Sequence, residues 1–266
     1  MIHLERRGRV ALLTIDRPAR RNALNEAMWG QLDALLAELE AALPRAVVIT
    51  GAGDQAFCAG MDVNPDNPQI GRLVGAVQRG ERAPALALLE SLRAVLDRLA
   101  ALPVPTIAAI NGRAYGGGAE LAVRCDLRVI DPGASMCFSE VTLGLMPDLG
   151  GGVALTRLVG PGRAADLILT AREVRADEAL MLGLVNQVCV TDMVVETALA
   201  MGEAIAANGP RAVRASLEVI RRTPDLTEED ALALELDRAA SLIATGECAT
   251  GISAFMARKK PEFPEP

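Results

Sequence analysis

Glu120 stands two residues beyond a run of three glycines, Gly116, Gly117 and Gly118, in the stretch AYGGGAEL (114–121). Glycine is a poor helix former, yet a helix-like run follows at once. A residue without a Cβ lets the backbone come close to a ligand. The first turn of a helix also offers free N–H groups and a partial positive charge. The combination suits a bare N–H aimed at a developing oxyanion, with a carboxylate beside it. A second stretch, AFCAGMD (56–62), can be taken with it. Each follows a predicted parallel strand, VVIT and TIAAI, and ligands in open α/β sheets gather at the carboxyl ends of strands. N–H groups from both loops converging on one carbonyl oxygen would make an oxyanion hole, each donor contributing on the order of 3 kcal/mol to a transition state. The same glycines fit a pair of tight turns with close helix–strand packing, and spacing alone does not choose between the two.

Composition narrows the chemistry. His3 is the only histidine in 266 residues, which removes Ser-His-Asp and Cys-His catalysis and His-rich metal sites. Proton transfer must rest on carboxylates or water. The five cysteines, Cys58, Cys125, Cys137, Cys189 and Cys248, are odd in number and form no CxxC pair, so they are expected to be reduced, mostly buried small hydrophobes. A net charge of −7 with 2% aromatic residues disfavours nucleic-acid binding. No apolar run approaches the roughly 20 residues of a membrane span, and the N-terminal MIHLERRGRVALLTID lacks the apolar core of a signal peptide. A cytoplasmic location is expected. GAGDQA (51–56) fits a dinucleotide-binding pattern only loosely, because a loop rather than a helix follows it; it is expected to be a turn.

The elements that must position these loops alternate. Strand-like runs fall at 9–16, 45–51, 105–112 and 126–131, and helix-like runs at 25–43, with Asn25 as N-cap, and 84–102. Apolar strands alternating with helices imply a parallel sheet. Residues 62–83, rich in Pro, Gly, Asn and charge, are expected to form a mobile surface loop. Beyond residue 160 the pattern is helical, at 162–170, 176–182, 192–208, 210–222 and 227–245, and no internal repeat is visible.

Several motifs in order carry a resemblance: RPARRNAL (17–24), FCAGMD (57–62), AINGRAYGGGAELAVRCDLRV (109–129), FSEVTLGLMPDLGG (138–151), GLVNQVCV (183–190) and the closing GISAFMARKKPEF (251–263). Together they resemble the enoyl-CoA hydratase/isomerase, or crotonase, family over nearly the whole chain. The resemblance implies an α/β spiral of ββα units over 1–200, with a CoA site. It implies a helical region over 201–266 that packs on the core and on a neighbouring subunit in a homotrimer or homohexamer. It assigns the oxyanion amides to Met61 and Gly117 and the catalytic carboxyl groups to Glu120 and Glu140. The implied reaction adds water to a 2-enoyl-CoA, with no metal or redox cofactor, coenzyme A being part of the substrate.

Asp148 departs from the hydratase pattern, which commonly has glycine there; in isomerase branches an aspartate at that position is a proton-transfer base. It could equally be the N-cap of the helix that follows. An enoyl-CoA isomerase is therefore the alternative, with a non-catalytic acyl-CoA or RNA-binding member, through RAVRASLEVIRRT (211–223), as a third. For the CoA phosphates the basic candidates are Arg17, Arg20 and Arg21 in one loop and Arg258, Lys259 and Lys260 near the end. The rest of CoA is expected against Ala23, Ala59 and Asp62.

Overall fold

The structure, a computed structural model, describes residues 1–264. It opens with an antiparallel pair, β1 (Ile2–Arg7) and β2 (Val10–Ile15), and then α1 (Glu26–Ala41). Asn25 caps α1, its side chain accepting from the Met28 N–H. Next come β3 (Ala46–Gly51), β4 (Ala56–Cys58), α2 (Pro68–Arg79) and α3 (Arg82–Ala101). A second turn is β5 (Thr106–Ile110), β6 (Arg113–Tyr115) and α4 (Gly117–Arg124). A third is β7 (Leu127–Ile130), β8 (Ser135–Cys137), a 3-10 turn (Glu140–Leu143), α5 (Gly151–Val159) and α6 (Pro161–Thr170). There follow β9 (Val174–Arg175), α7 (Ala176–Met181), β10 (Gln187–Val188), α8 (Val194–Ala206), α9 (Pro210–Arg222), α10 (Glu228–Ala244) and α11 (Glu247–Met256).

In each turn the first strand joins a six-stranded sheet of order β1-β2-β3-β5-β7-β10, and the second joins a four-stranded sheet of order β4-β6-β8-β9. This is the spiral of ββα units that the resemblance implies, a repeat of geometry without a repeat of sequence. The large sheet is parallel from β2 onward. Alternate residues serve two cores. Leu13, Ile15, Ile49 and Ile110 pack with Leu36, Leu96, Leu99 and Leu121 from α1, α3 and α4. Val10, Val48, Ile107 and Val129 pack with Val194, Ala198 and Ala206 of α8. Burial on both faces is why these strands read as unbroken apolar runs.

Four features differ from the sequence reading. The four-stranded sheet went unseen, because strands of two or three residues carry no periodicity. The segment 62–83 is not a loop throughout: Asn67 caps α2 by accepting from the Gln69 N–H, Pro68 occupies its first turn and Gly80 ends it in the left-handed region. A boundary after residue 200 falls inside α8, which packs on the large sheet; the helices outside the sheet layers begin with α9. The chain also carries one further helix, α11; residues 265 and 266, the end of the proposed helical region, lie outside the described residues.

Candidate active site

Three short parallel strands converge on one place. β4, β6 and β8 lie side by side, so the chain leaving each carboxyl end enters the same region. Met61 follows β4, Gly117 opens α4 after β6, and Glu140 opens the 3-10 turn after β8. The three glycines meet three different demands. Gly116 takes φ +52 at the N-cap of α4, a conformation that suits glycine. Gly118 packs so tightly on β4 that a Cβ there would lie 1.9 Å from the Cys58 carbonyl oxygen. Gly117, between them, brings its backbone beside Met61: a Cβ on it would stand 3.7 Å from the Met61 nitrogen. Gly60 completes the approach, since a Cβ there would lie 2.7 Å from the Gly117 nitrogen.

Among the described residues, neither the Met61 N–H nor the Gly117 N–H donates to a protein acceptor, whereas the Gly116 and Asp62 N–H groups beside them do. The Gly116 N–H donates to Cys137 O at 2.9 Å, the Asp62 N–H to Leu24 O at 2.9 Å and the Leu24 N–H to Gly60 O at 2.8 Å. Both residues are half-buried.

Glu120, in the first turn of α4, is 1% exposed. One carboxylate oxygen accepts from the N–H groups of Leu149 at 2.9 Å and Gly151 at 2.8 Å, and the other from Asp148 N–H at 3.3 Å. These donors lie at the N-terminus of α5, where the helix dipole favours negative charge. α5 approaches this closely because Gly151 presents no Cβ; one would fall 2.3 Å from Glu120 Cγ. Burial pushes the Glu120 carboxyl up to about 8; the charges of Glu140 and Asp148 add to the rise, and the Gly151 and Leu149 N–H groups oppose it.

Glu140 is in a different position. It is buried, and neither of its carboxylate oxygens has a hydrogen-bond partner among the described residues. Burial raises its pKa and Asp148 adds to the rise, while an interaction with Glu120 pulls the other way. Asp148 is half-buried, and burial raises it as well. It does not cap α5, whose N-cap is Gly150 with no side-chain bond. Three acidic groups thus share a site too dry for all of them to ionise freely at neutral pH. Such groups can give and take protons near neutrality, and they lie near two amides that have no protein acceptor.

The comparisons with known proteins bear on this arrangement. The family model for enoyl-CoA hydratase/isomerase matches residues 5–266. The chain is 37% identical over 263 residues to the short-chain-enoyl-CoA hydratase of Clostridium acetobutylicum, covering 97% of this chain and 95% of that protein. This chain belongs to the enoyl-CoA hydratase/isomerase family. It is also 36% identical over 264 residues to the 2,3-dehydroadipyl-CoA hydratase of Escherichia coli, covering 98% and 97% of the two chains. With the crotonyl-CoA hydratase of Syntrophomonas wolfei it shares 34% identity over 263 residues, 98% of this chain and 97% of that protein. The crystal structure of an enoyl-CoA hydratase from Bacillus anthracis superposes with a TM-score of 0.90 at 33% identity, covering 98% of each chain.

Of the residues expected to hold CoA, most gather around one seam. The segment 21–24 is stitched to 59–62: Ala59 N–H donates to Arg21 O at 3.0 Å, and Leu24 pairs with Met61. Asp62 is held by Arg17 at 2.6 Å. Burial alone would raise its pKa, but the Arg17 hydrogen bond, the Asn64 N–H and the charges of Arg17 and Arg20 together hold it below the usual carboxylate range. Arg17, Arg20, Asp62 and Asn67 line a cleft of about 330 Å³. Arg21, at φ +51, faces a different cleft with Gly53, Gln55 and Arg113. Arg20 and Arg21 are therefore not brought together. Nor does the single chain bring Arg258 to them. It is exposed beyond α11, and the end of the described chain is fastened where Arg45 donates to Phe263 O at 3.2 Å and Pro264 O at 3.1 Å. Arg45 precedes β3, at the end of the parallel sheet opposite its carboxyl ends. In the basic stretch of α9, Arg221 binds Asp126 and Leu102 O, and Arg222 binds Glu218, so half of its charge is already paired.

Two residues of the site region passed without a role in the sequence reading. Asn22, fully buried, donates to Ala52 O at 3.0 Å and Ala56 O at 2.7 Å and accepts from the Arg17 N–H at 2.9 Å. It ties the arginine loop to the β3–β4 turn. The available signal was an uncharged polar residue between arginines and an apolar run, which admits many explanations. Arg124, four residues after Glu120, carried no signal of its own.

Proposed function

We propose that this chain adds water across the double bond of a 2-enoyl-CoA thioester to give a 3-hydroxyacyl-CoA. The single observation that carries the reading is the pair of amides, Met61 and Gly117, free of protein acceptors beside two buried glutamates. The thioester oxygen accepts both N–H groups, which draws electron density onto it and makes the β-carbon electrophilic. Glu120, whose anion is favoured by the α5 amides, takes a proton from water as the oxygen bonds to the β-carbon. Glu140, not held by helix amides as Glu120 is, delivers its proton to the α-carbon as the enolate collapses. A proton passing from Glu120 to Glu140 restores the starting state, and the net addition is one water. The scheme draws on no metal or redox cofactor. The names of the relatives point to a short acyl group. Arg17, Arg20 and the seam at Ala23, Ala59 and Asp62 are the proposed cradle for CoA.

The test is the loss of conjugated-thioester absorbance from crotonyl-CoA. Glu120→Gln and Glu140→Gln should each slow it by about 10² to 10⁴-fold, the usual range for one acid–base group. Full activity in either variant would remove that glutamate from the mechanism.

Asp148 supports a second reading, migration of a 3-enoyl to a 2-enoyl double bond, because it is a third half-buried carboxyl group with a raised pKa, close enough for its charge to act on both glutamates. Turnover of a 3-enoyl-CoA that Asp148→Asn abolishes, with crotonyl-CoA inert, would favour it.

Assembly as a homotrimer or homohexamer is part of the proposal. α10 and α11 contain no buried residue and expose Leu232, Leu236, Ile243, Ile252, Phe255 and Met256, apolar surface that a neighbouring copy would cover. In such an assembly Arg258 could serve a neighbour's CoA. A cytoplasmic location is part of the proposal; no single helix among the described residues is long and apolar enough to cross a membrane.

A further inference from the structure

The Leu149 and Gly151 amides that hold Glu120 flank Gly150, and Gly150 rests on an arginine. Arg124 lies one helical turn beyond Glu120 on α4, so both side chains leave the same face of the helix. Its guanidinium fills the side of Gly150 that a Cβ would occupy: an ideal Cβ there would stand 3.1 Å from Nη1 and 3.4 Å from Cζ. Gly150 has φ +90, a conformation other residues rarely adopt, so the bare face and the turn come together. The other end of the guanidinium is anchored on α3, where Nη2 donates to the Asp97 carboxylate and to Leu96 O at 3.4 Å. Arg124 Nε is buried without any acceptor.

We propose that Arg124, braced by Asp97, is a positioning residue that fixes the 149–151 turn against Glu120 and so sets the geometry of the proposed water-activating carboxylate. This rests on the hydratase reading for its kinetic consequence but not for its structural one. The other ionisable groups around Glu120 are accounted for. Glu140 comes from the 3-10 turn and Asp148 from the loop before α5. Cys58 comes from β4, its thiol pushed up to about 12 by burial. Tyr115 from β6 is raised by burial, Asp97 from α3 is taken by Arg124 and Arg93, and Arg157 of α5 is turned to Asp225. The N–H groups of Gly151 and Leu149 lower the Glu120 pKa and burial raises it, so loosening the turn changes both contributions and must move it.

The experiment compares wild type, Arg124→Leu, Arg124→Lys and Asp97→Asn. Amide hydrogen exchange at residues 149–151 should be about tenfold or more faster in Arg124→Leu, with intermediate rates in Arg124→Lys and Asp97→Asn. With crotonyl-CoA, kcat in Arg124→Leu should fall about tenfold with KM within twofold. The acid limb of its kcat profile should move, because both the N–H bonds to Glu120 and its burial change when the turn loosens. Wild-type exchange in Arg124→Leu would overturn the proposal whatever the activity. A kcat loss with an unmoved acid limb would overturn it too, leaving Arg124 a packing residue. If Glu120→Gln proved fully active while exchange still rose, the hydratase reading of Glu120 would fail and the bracing role would stand.

Discussion

The two sheets of this protein divide its work. The six-stranded sheet is long, apolar on both faces and sealed by helices, and it supplies most of the core. The four-stranded sheet is built from strands of two or three residues, yet three of them end at the two free amides and the buried glutamates. A substitution in the first should change stability and leave the chemistry per folded molecule alone. A substitution at the carboxyl ends of the second should change the chemistry, although its buried side chains such as Phe57 and Met136 also belong to the core. The lesson is that a large, well-packed layer allows a small one to hold groups that are costly to bury, such as a carboxyl group without a partner.

The largest expected effect that could break this division is on the amides. Gly60→Ala places a methyl group where 2.7 Å separates it from the Gly117 nitrogen, so kcat for crotonyl-CoA should fall about 10² to 10³-fold, the range for losing one oxyanion donor. A near-normal rate would sever the small sheet from catalysis. The mirror experiment is Leu13→Ala, in the fully buried middle of β2. It should lose about 2–5 kcal/mol of stability by denaturant titration, with kcat per folded molecule unchanged. A kcat loss there would mean that the sheets are not separable.

A pH experiment sharpens the comparison from the stability side. The Glu120 pKa is raised, to about 8, so the folded state binds more protons than the unfolded one between about pH 4.5 and 8, and stability must fall as pH rises through that window. Glu120→Gln cannot ionise and should flatten the fall, leaving the variant more stable than wild type at pH 9 but not at pH 4. Parallel curves for the two proteins would show that Glu120 carries no such strain. Smaller still, Arg17→Ala removes the partner of buried Asp62 and should raise KM about three- to tenfold with kcat little changed. Isothermal binding of a CoA thioester would check that loss directly.

Legibility followed the same line. β2, β3, β5 and β7, and helices α1, α3, α8, α9 and α10, stand within a few residues of their expected places, because long buried runs and helical periods leave strong patterns. α2 was hidden because its glycines and charged residues resemble loop composition, although Asn67 and Pro68 were a usable start signal. Glu120 was legible beside its glycines. Glu140 was legible only through the family resemblance, since SEVTLG by itself has no chemical signature.

The sequence alone determined the strand–helix alternation, the dependence on carboxylates with a single histidine available, and the demand for bare backbone around Gly116–Gly118. Only the tertiary structure decided that β4, β6 and β8 lie parallel and end together, that Glu120 is held by α5 amides while Glu140 is not, and that Arg20 and Arg21 face different clefts. The physical reason is range. Propensity and periodicity act between neighbours along the chain, whereas hydrogen bonding and desolvation at Glu120 depend on residues some 30 positions away that meet only when the core closes.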